Sequence, residues 1–373
     1  MTVSSNIPSM MSIVEGELHN NNQETRDRPI ALIHDLRLYR FSFSLFPPLR
    51  LKTGELSERR GCFVRLVDRE GRSGIGEAAP LPGFSKDNLE DIIAAWPRWR
   101  DGLLRGDITV RHIARDDWLF PERCPPSLAF ALGCAWRDAR GEFTGPVSQP
   151  VNVLLSGEPE TLLQEARHWQ RLGFSRFKRK VAKGDAGDAA TVKALVSAVG
   201  PGRLRLDANR QWTLDTAISF ARAIQGHALD YIEEPLRSPA ELNRLHEATG
   251  LPLAYDETLD DLEPDMLRYA KGIEALVLKP SLYGGIARNE AWGRYARAMG
   301  LQIVMSSGFN SSLGLYHLCH LARNWGAEKT PAGLATVHFN RDEPIRSTGR
   351  LADGCLSFRE APQVNWLECE LVD

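Results

Sequence analysis

Apolar and polar positions follow two different rhythms along this chain. In the first part, Ala31–Phe43 and Cys62–Val67 read as strands on either side of a stretch rich in Pro, Arg and Lys, Pro47–Arg60, and Gly71–Gly76 reads as a hairpin turn. Helical periodicity follows over Asp87–Arg100 and Pro126–Gly141. Strands followed by helices describe an α+β layer. From Pro150 onward, short apolar runs alternate with amphipathic segments. The runs are Val151–Leu155, Phe174–Val181, Leu204–Ala208, Tyr231–Ile232, Leu253–Tyr255, Ala275–Leu278 and Gln302–Met305, with a last short strand over Gly333–Thr336. The helices between them fall at Glu158–Leu172, Asp188–Val199, Leu214–Ile224, Pro239–Thr249, Pro264–Lys271, Ala287–Met299 and Ser312–Asn324. Such alternation predicts a parallel sheet closed by crossover helices. The expected fold class is α/β, a modified (β/α)8 barrel of the TIM-like (β/α)7β kind with an α+β capping domain. Residues 1–29, polar and aperiodic with the run Asn20-Asn21-Asn22, are expected to be a disordered tail. The capping domain is expected to take 30–145 plus 342–373, and the barrel 146–341.

Composition narrows the partners rather than the fold. The 373 residues are 43% hydrophobic and 25% charged, with a net charge of −2. Nothing there calls for nucleic acid or a charged membrane surface, which leaves a small molecule as the expected partner and the oligomeric state open. No apolar run approaches membrane-spanning length, and Met1–Arg28 lacks a basic start followed by an apolar core, so the cytoplasm is the expected location. The six cysteines form no Cys-x-x-Cys pair, which argues against a zinc knuckle or a thioredoxin-like centre.

The chemistry is concentrated in five strings that end successive apolar runs: Lys178-Arg179-Lys180, Asp207-Ala208-Asn209, Glu233-Glu234-Pro235, Asp256-Glu257-Thr258 and Lys279-Pro280. Consecutive strings lie 23–27 residues apart, about one strand plus one helix. Taken singly, each is an ordinary solvated cluster or helix cap. Taken in order, each at the carboxyl end of a strand, they converge on the face where such barrels place active sites. Three strand ends carrying carboxylates suit a hard divalent cation, Mg2+ or Mn2+, which would also relieve their mutual repulsion. Lys178 and Lys180, two apart on a strand, point the same way. Two close ammonium groups depress each other's pKa, which favours a neutral lysine acting as general base. Lys279 stands three strands further round. This arrangement fits removal of a proton α to a carboxylate. Alternation alone leaves open whether Glu233 or Glu234 faces inward.

At these residues the chain resembles the enolase superfamily, and within it the muconate-lactonizing subgroup. Further strings bring it nearest to the proteobacterial o-succinylbenzoate synthase family: Pro80-Leu81-Pro82-Gly83-Phe84-Ser85, Leu204-Arg205-Leu206-Asp207-Ala208-Asn209-Arg210, and Ser306-Ser307 with Ser311-Ser312-Leu313-Gly314. The resemblance runs from about residue 31 to about 340 and implies the roles that follow. Asp207, Glu233 and Asp256 would bind Mg2+. Lys180 would remove the α-proton of 2-succinyl-6-hydroxy-2,4-cyclohexadiene-1-carboxylate and return it to the departing hydroxyl, a syn dehydration through a Mg2+-stabilised enediolate in menaquinone biosynthesis. Lys279 would stabilise the enediolate from the opposite face, and Lys178 would lower the pKa of Lys180. Arg205 and Asn209 would order water and substrate polar groups. Pro82, Gly83 and Phe84, with Leu51-Lys52-Thr53, would cover the site. Ser307, Gly308 and Ser311, at a helix N-terminus, would hold the succinyl carboxylate. N-succinylamino acid racemases and dipeptide epimerases share these lysines and carboxylates, and a barrel used only for binding is the more distant alternative. One departure stands out: Gly308-Phe309-Asn310 replaces the Ser-Ile-Glu-like string of the family. His317 and His320, away from the acidic strings, read as core or surface residues.

Overall fold

The computed structural model describes residues 33–51, 54–108, 124–157, 160–283 and 285–372. The expected tail, residues 1–29, and Lys52-Thr53 lie outside them. Strands β1 (Ile33–Leu51) and β2 (Gly54–Asp68) form one long antiparallel hairpin, and β3 (Ser73–Ala78) pairs with β2. The Pro-rich stretch is therefore the far end of a hairpin rather than a connection between two short strands. Pro47 and Pro48 have no N–H to donate, and the ladder slips between Ser44 and Leu49 before resuming at Leu49 opposite Leu56. One face of this sheet is closed by helices α1 (Leu89–Arg105) and α2 (Pro126–Ala139), with Leu38, Val64, Trp96 and Leu132 in their shared core. Asn88 caps α1 reciprocally with Asp91. Gly76 lets α2 lie against β3, since a Cβ there would come within 1.8 Å of the Ala131 carbonyl oxygen.

A short strand β4 (Val147–Pro150) leads into seven parallel strands in sequential order: β5 (Val153–Leu155), β6 (Phe177–Lys180), β7 (Leu204–Asp207), β8 (Tyr231–Glu233), β9 (Leu253–Tyr255), β10 (Ile273–Leu278) and β11 (Gln302–Met305). Helices α3 (Leu162–Arg171), α4 (Ala186–Val199), α5 (Leu214–Ala223), α6 (Leu242–Thr249), α7 (Gly285–Ala298) and α8 (Ser312–Asn324) alternate with them. The chain is thus a parallel α/β barrel with a separate antiparallel capping layer.

Two elements differ from expectation. Pro264–Lys271 is not an α-helix but a 3-10 turn, Pro264–Tyr269, which ends where Ala270 takes an extended backbone. Gly333–Thr336 is not a regular strand. Ala332 bridges Val151 and Gly333 bridges Ser306, after which Ala335–Phe339 turns as a 3-10 helix. Those two residues tie the first edge of the parallel sheet to the last, with Gly333 donating to Met305 O and Asn152 to Ala332 O.

The carboxyl-terminal segment divides its contacts. Asn340–Arg341 and Glu370–Val372 both pair with β1, whereas Cys355–Phe358 pairs with β4. His317 and His320 are buried against Phe143, with Tyr316 beside them. Among the described residues no helix is long and apolar enough to cross a membrane.

Candidate active site

The parity of each strand decides which side chains reach the barrel interior. Phe177, Leu204, Leu206, Ile232, Leu253, Leu276 and Leu278 pack outward, within the large core that includes the helices. Inside lies a separate layer of Tyr231, Ala254, Ala275, Val277 and Val304. Two residues beyond Tyr231, Ala254 and Val277, at the carboxyl ends of their strands, come Glu233, Asp256 and Lys279. Tyr231 thereby settles which carboxylate of the pair faces inward: it is Glu233.

The inward residues meet. Lys178 Nζ lies 2.9 Å from Asp207 Oδ2 and 2.8 Å from each Glu233 carboxylate oxygen. Lys279 Nζ is paired with Asp256 Oδ2. Lys180 forms no ion pair among the described residues, and its Nζ stands 5.7 Å from the centre of the Phe84 ring. That ring comes from the capping layer, on a turn in which the amides of Phe84 and Ser85 both donate to Leu81 O. Pro82 and Gly83 are exposed at the tip of this turn.

The charges follow from these distances. Burial works against the Lys178 ammonium, but Asp207 and Glu233 outweigh it and raise its pKa. Lys180 is held below the usual lysine range, first by burial and then by the Lys178 and Lys279 cations, with Asp207 opposing. Asp207 is lowered despite its burial, because Lys178 and Lys180 favour its charged form. Asp256 is pushed well above the usual carboxylate range by burial, with Glu233 and Glu257 adding repulsion that Lys279 only partly offsets.

Glu234 is framework. Its carboxylate is fully buried and accepts from the amides of Asp256 and Thr258, each at 2.8 Å, from Thr258 Oγ1 at 2.8 Å and from Arg210 Nε at 2.9 Å. These bonds fix the turn that carries Asp256. Asn209, at φ 43°, donates its amide to Asp207 Oδ1 at 3.0 Å and so orients that carboxylate through its backbone.

Four of the residues expected near the substrate have protein partners of their own. Arg205 faces the interior but reaches the opposite end of the barrel. Its guanidinium bonds Asp230 at 2.8 Å, Asn152 Oδ1 at 2.9 Å and Pro331 O at 2.6 Å, and stacks over Tyr231. It closes the barrel floor. The start of α8 is already filled with carboxylate. Ser311 gives its hydroxyl and amide to Glu77, Gly314 also donates to Glu77, and Ser312 donates to Glu343. An incoming carboxylate at Ser311 would meet two buried anions. Ser307 Oγ is bonded to Thr336 Oγ1 at 2.9 Å. Gly308 donates its amide to Asn310 Oδ1, and a Cβ there would come within 2.7 Å of Leu282 Cδ2.

Sequence reasoning passed over Arg59. Only 2% exposed, it gives its guanidinium to four carbonyls: Ala79 and Pro80, which lead into the Phe84 turn, and Gly308 and Phe309 above the barrel. Burial pulls its pKa down to about 10, so it stays charged at neutral pH. In a stretch dense with Arg and Glu it carried no signal of its own.

The donor set fits a divalent cation. Asp256 Oδ1 is buried and has no hydrogen-bond partner, and the crowding of Asp256 with Glu233 and Glu257 is the conflict that a dication relieves. As the side chains stand, no three carboxylate, imidazole or thiol groups among the described residues are gathered closely enough to hold an ion. Lys178 and Lys279 occupy their oxygens.

Comparison with known proteins assigns this architecture. Residues 161–362 match the enolase C-terminal domain-like family, and residues 33–139 match the MenC, N-terminal domain family. The chain belongs to the enolase superfamily. Its curated relatives include o-succinylbenzoate synthases, among them that of Citrobacter koseri, 32% identical over 326 residues covering 86% of this chain and 96% of the relative. As a relative of these synthases over most of its length, it is an enzyme of the lyase class, a dehydratase. Among solved structures, a dipeptide epimerase from Cytophaga hutchinsonii complexed with Mg and the dipeptide D-Ala-L-Val superposes with a TM-score of 0.76 at 19% identity, covering 92% of this chain and 100% of that one. A muconate lactonizing enzyme from Pseudomonas fluorescens, complexed with muconolactone, gives 0.74 at 18% identity, covering 90% and 96%. At these identities the likeness is one of fold.

Proposed function

We propose that this enzyme is an o-succinylbenzoate synthase, dehydrating 2-succinyl-6-hydroxy-2,4-cyclohexadiene-1-carboxylate to 2-succinylbenzoate in menaquinone biosynthesis. The observation that carries the reading is the placement of Lys180 at the mouth of the carboxylate ring, without an ion pair among the described residues, under Phe84 and with its pKa lowered. Asp207, Glu233 and Asp256 would hold Mg2+ or Mn2+. When bound, the ion supplies positive charge to the substrate carboxylate as its α-carbon loses a proton. Neutral Lys180 takes that proton and leaves the electron pair of the broken C–H bond spread over the carboxylate and ring; that pair forms the ring double bond when the C–O bond to the hydroxyl breaks. The Lys180 ammonium then protonates the departing hydroxyl, so that water leaves and the base returns to its starting state. Lys279, cationic on the other side, stabilises the negative charge spread over the ring and carboxylate. Phe84 and its turn exclude bulk water from the proton transfer.

The test is a spectrophotometric assay of diene loss with Mg2+. EDTA is expected to abolish turnover and excess Mg2+ or Mn2+ to restore it, while far-UV circular dichroism stays unchanged. Turnover that survives exhaustive chelation would overturn the metal assignment. A folded, metal-loaded protein inert towards the diene would overturn the dehydration, and N-succinylamino acids would be assayed next.

The pH profile gives a second check. A lysine base works only when neutral, so kcat/KM is expected to rise with pH and level off above the depressed Lys180 pKa. Lys178→Met removes a neighbouring cation and leaves Asp207 and Glu233 uncompensated, and both changes favour charged Lys180. The inflection is therefore expected to move to higher pH. A profile that stays in place, or moves down, would dissociate Lys178 from the tuning of Lys180.

A further inference from the structure

The loop that follows Lys279 doubles back over it. The amides of Leu282 and Tyr283 both donate to the Lys279 carbonyl, at 2.9 and 3.1 Å, which carries the ring four residues on across the lysine side chain. The centre of the Tyr283 ring lies 5.7 Å from Lys279 Nζ, within the range of a cation–π contact. The ring is only 9% exposed and packs with Leu81 and Leu282, and Phe84 leans on the same cluster from the capping layer. Burial raises the phenol pKa, so the group stays neutral and meets the lysine as an aromatic face rather than a counter-ion. The geometry repeats that of Lys180 beneath Phe84, giving each lysine one ring at the same distance.

We propose that Tyr283 is a positioning residue that fixes the Lys279 ammonium on its side of the substrate ring, an assignment whose catalytic part rests on the dehydration proposed above. Among the described residues the ion-pair partner of Lys279 is Asp256. That carboxylate is also a candidate metal ligand, and one that shares its charge with a dication grips an ammonium less firmly. The ring face is no metal ligand, and it keeps the side chain in place however the carboxylate is engaged.

The test uses the full-length protein carrying lysine labelled with 13C at Cε, with Lys279→Arg to assign the signal. In the wild type and in Tyr283→Phe, the Lys279 Cε protons are expected upfield through the ring current of residue 283. In Tyr283→Leu that displacement is expected to vanish. A signal that Tyr283→Leu leaves unchanged would overturn the proposal whatever the substrate proves to be. In the dehydration assay Tyr283→Leu is expected to lower kcat about ten-fold with little change in KM, and Tyr283→Phe to recover it. Under single-turnover conditions, Tyr283→Leu is expected to cost nothing further in a Lys279→Met background, since its effect runs through that lysine. An equal loss in both backgrounds would make Tyr283 a general packing residue and overturn the proposal. A wild type inactive on the diene would sink the dehydration alone, and the ring-current comparison would still decide the positioning.

Discussion

Lys180→Ala is expected to lower kcat by about 10²–10⁴-fold, the usual contribution of a positioned general base. Its fold should be intact. Lys180 opens at the barrel mouth and forms no ion pair among the described residues, so its truncation leaves no buried partner stranded. Its metal affinity should not fall, because the change removes a cation from beside Asp207. Lys180→Arg is expected to be as inactive as the alanine variant. A guanidinium keeps its proton at every working pH, so retained charge does not restore a base. The measurements are kcat at saturating substrate, circular dichroism and titration with Mg2+. A variant keeping a tenth or more of wild-type activity would remove Lys180 from the role of base and turn attention to Lys279.

The largest effect on stability is expected from Arg59→Met. Methionine retains much of the stem but offers no donors, which leaves the carbonyls of Ala79, Pro80, Gly308 and Phe309 short of partners. Each such loss in a buried setting costs about 1–3 kcal/mol, and relief from burying the charge returns part of the sum. A net loss of about 3–5 kcal/mol is expected by chemical denaturation. The damage should also be local. Phe309 holds a left-handed backbone, φ 57°, that a bulky residue adopts only when its surroundings enforce it, and Arg59 Nε grips its carbonyl at 3.1 Å. The Phe84 turn hangs from the same guanidinium. Arg59→Met should therefore raise KM as well as lower stability. A variant as stable as the wild type would show that the four contacts do not restrain the two loops.

The barrel was legible because its apolar runs are short, recur at one strand-helix interval and end in charge. Lys178, Lys180, Asp207, Glu233, Asp256 and Lys279 stood out for the same reason: an ionisable residue closing a buried strand has few structural explanations. What stayed hidden depended on contacts remote in sequence. Arg59 lies about 20 residues from two of its carbonyls and about 250 from the other two. Glu77, which caps α8, lies 234 residues from Ser311. No local pattern encodes either. Arg205 illustrates a different limit. Alternation placed it on the same side of the sheet as Asp207, but the face of a strand does not say towards which end a long side chain extends. Asp230 and Asn152, at the floor, decided that. The crossover after β9 misled for yet another reason, since apolar spacing over only eight residues is compatible with a 3-10 turn as well as with an α-helix.

The pairing of β1 with Glu370–Val372 joins the first described strand to the last. A ribosome finishes β1 roughly 320 residues before it makes this partner, and at 5–20 residues per second the delay is about 15–65 s. Until then the Leu38–Arg40 part of that margin lacks its partner, and an unpaired strand margin invites association with other chains. The cap is therefore expected to be completed late in synthesis. Nascent chains stalled before residue 370 would be the species most in need of chaperone cover, although the two residues that bridge the barrel margins, Ala332 and Gly333, would already have been made.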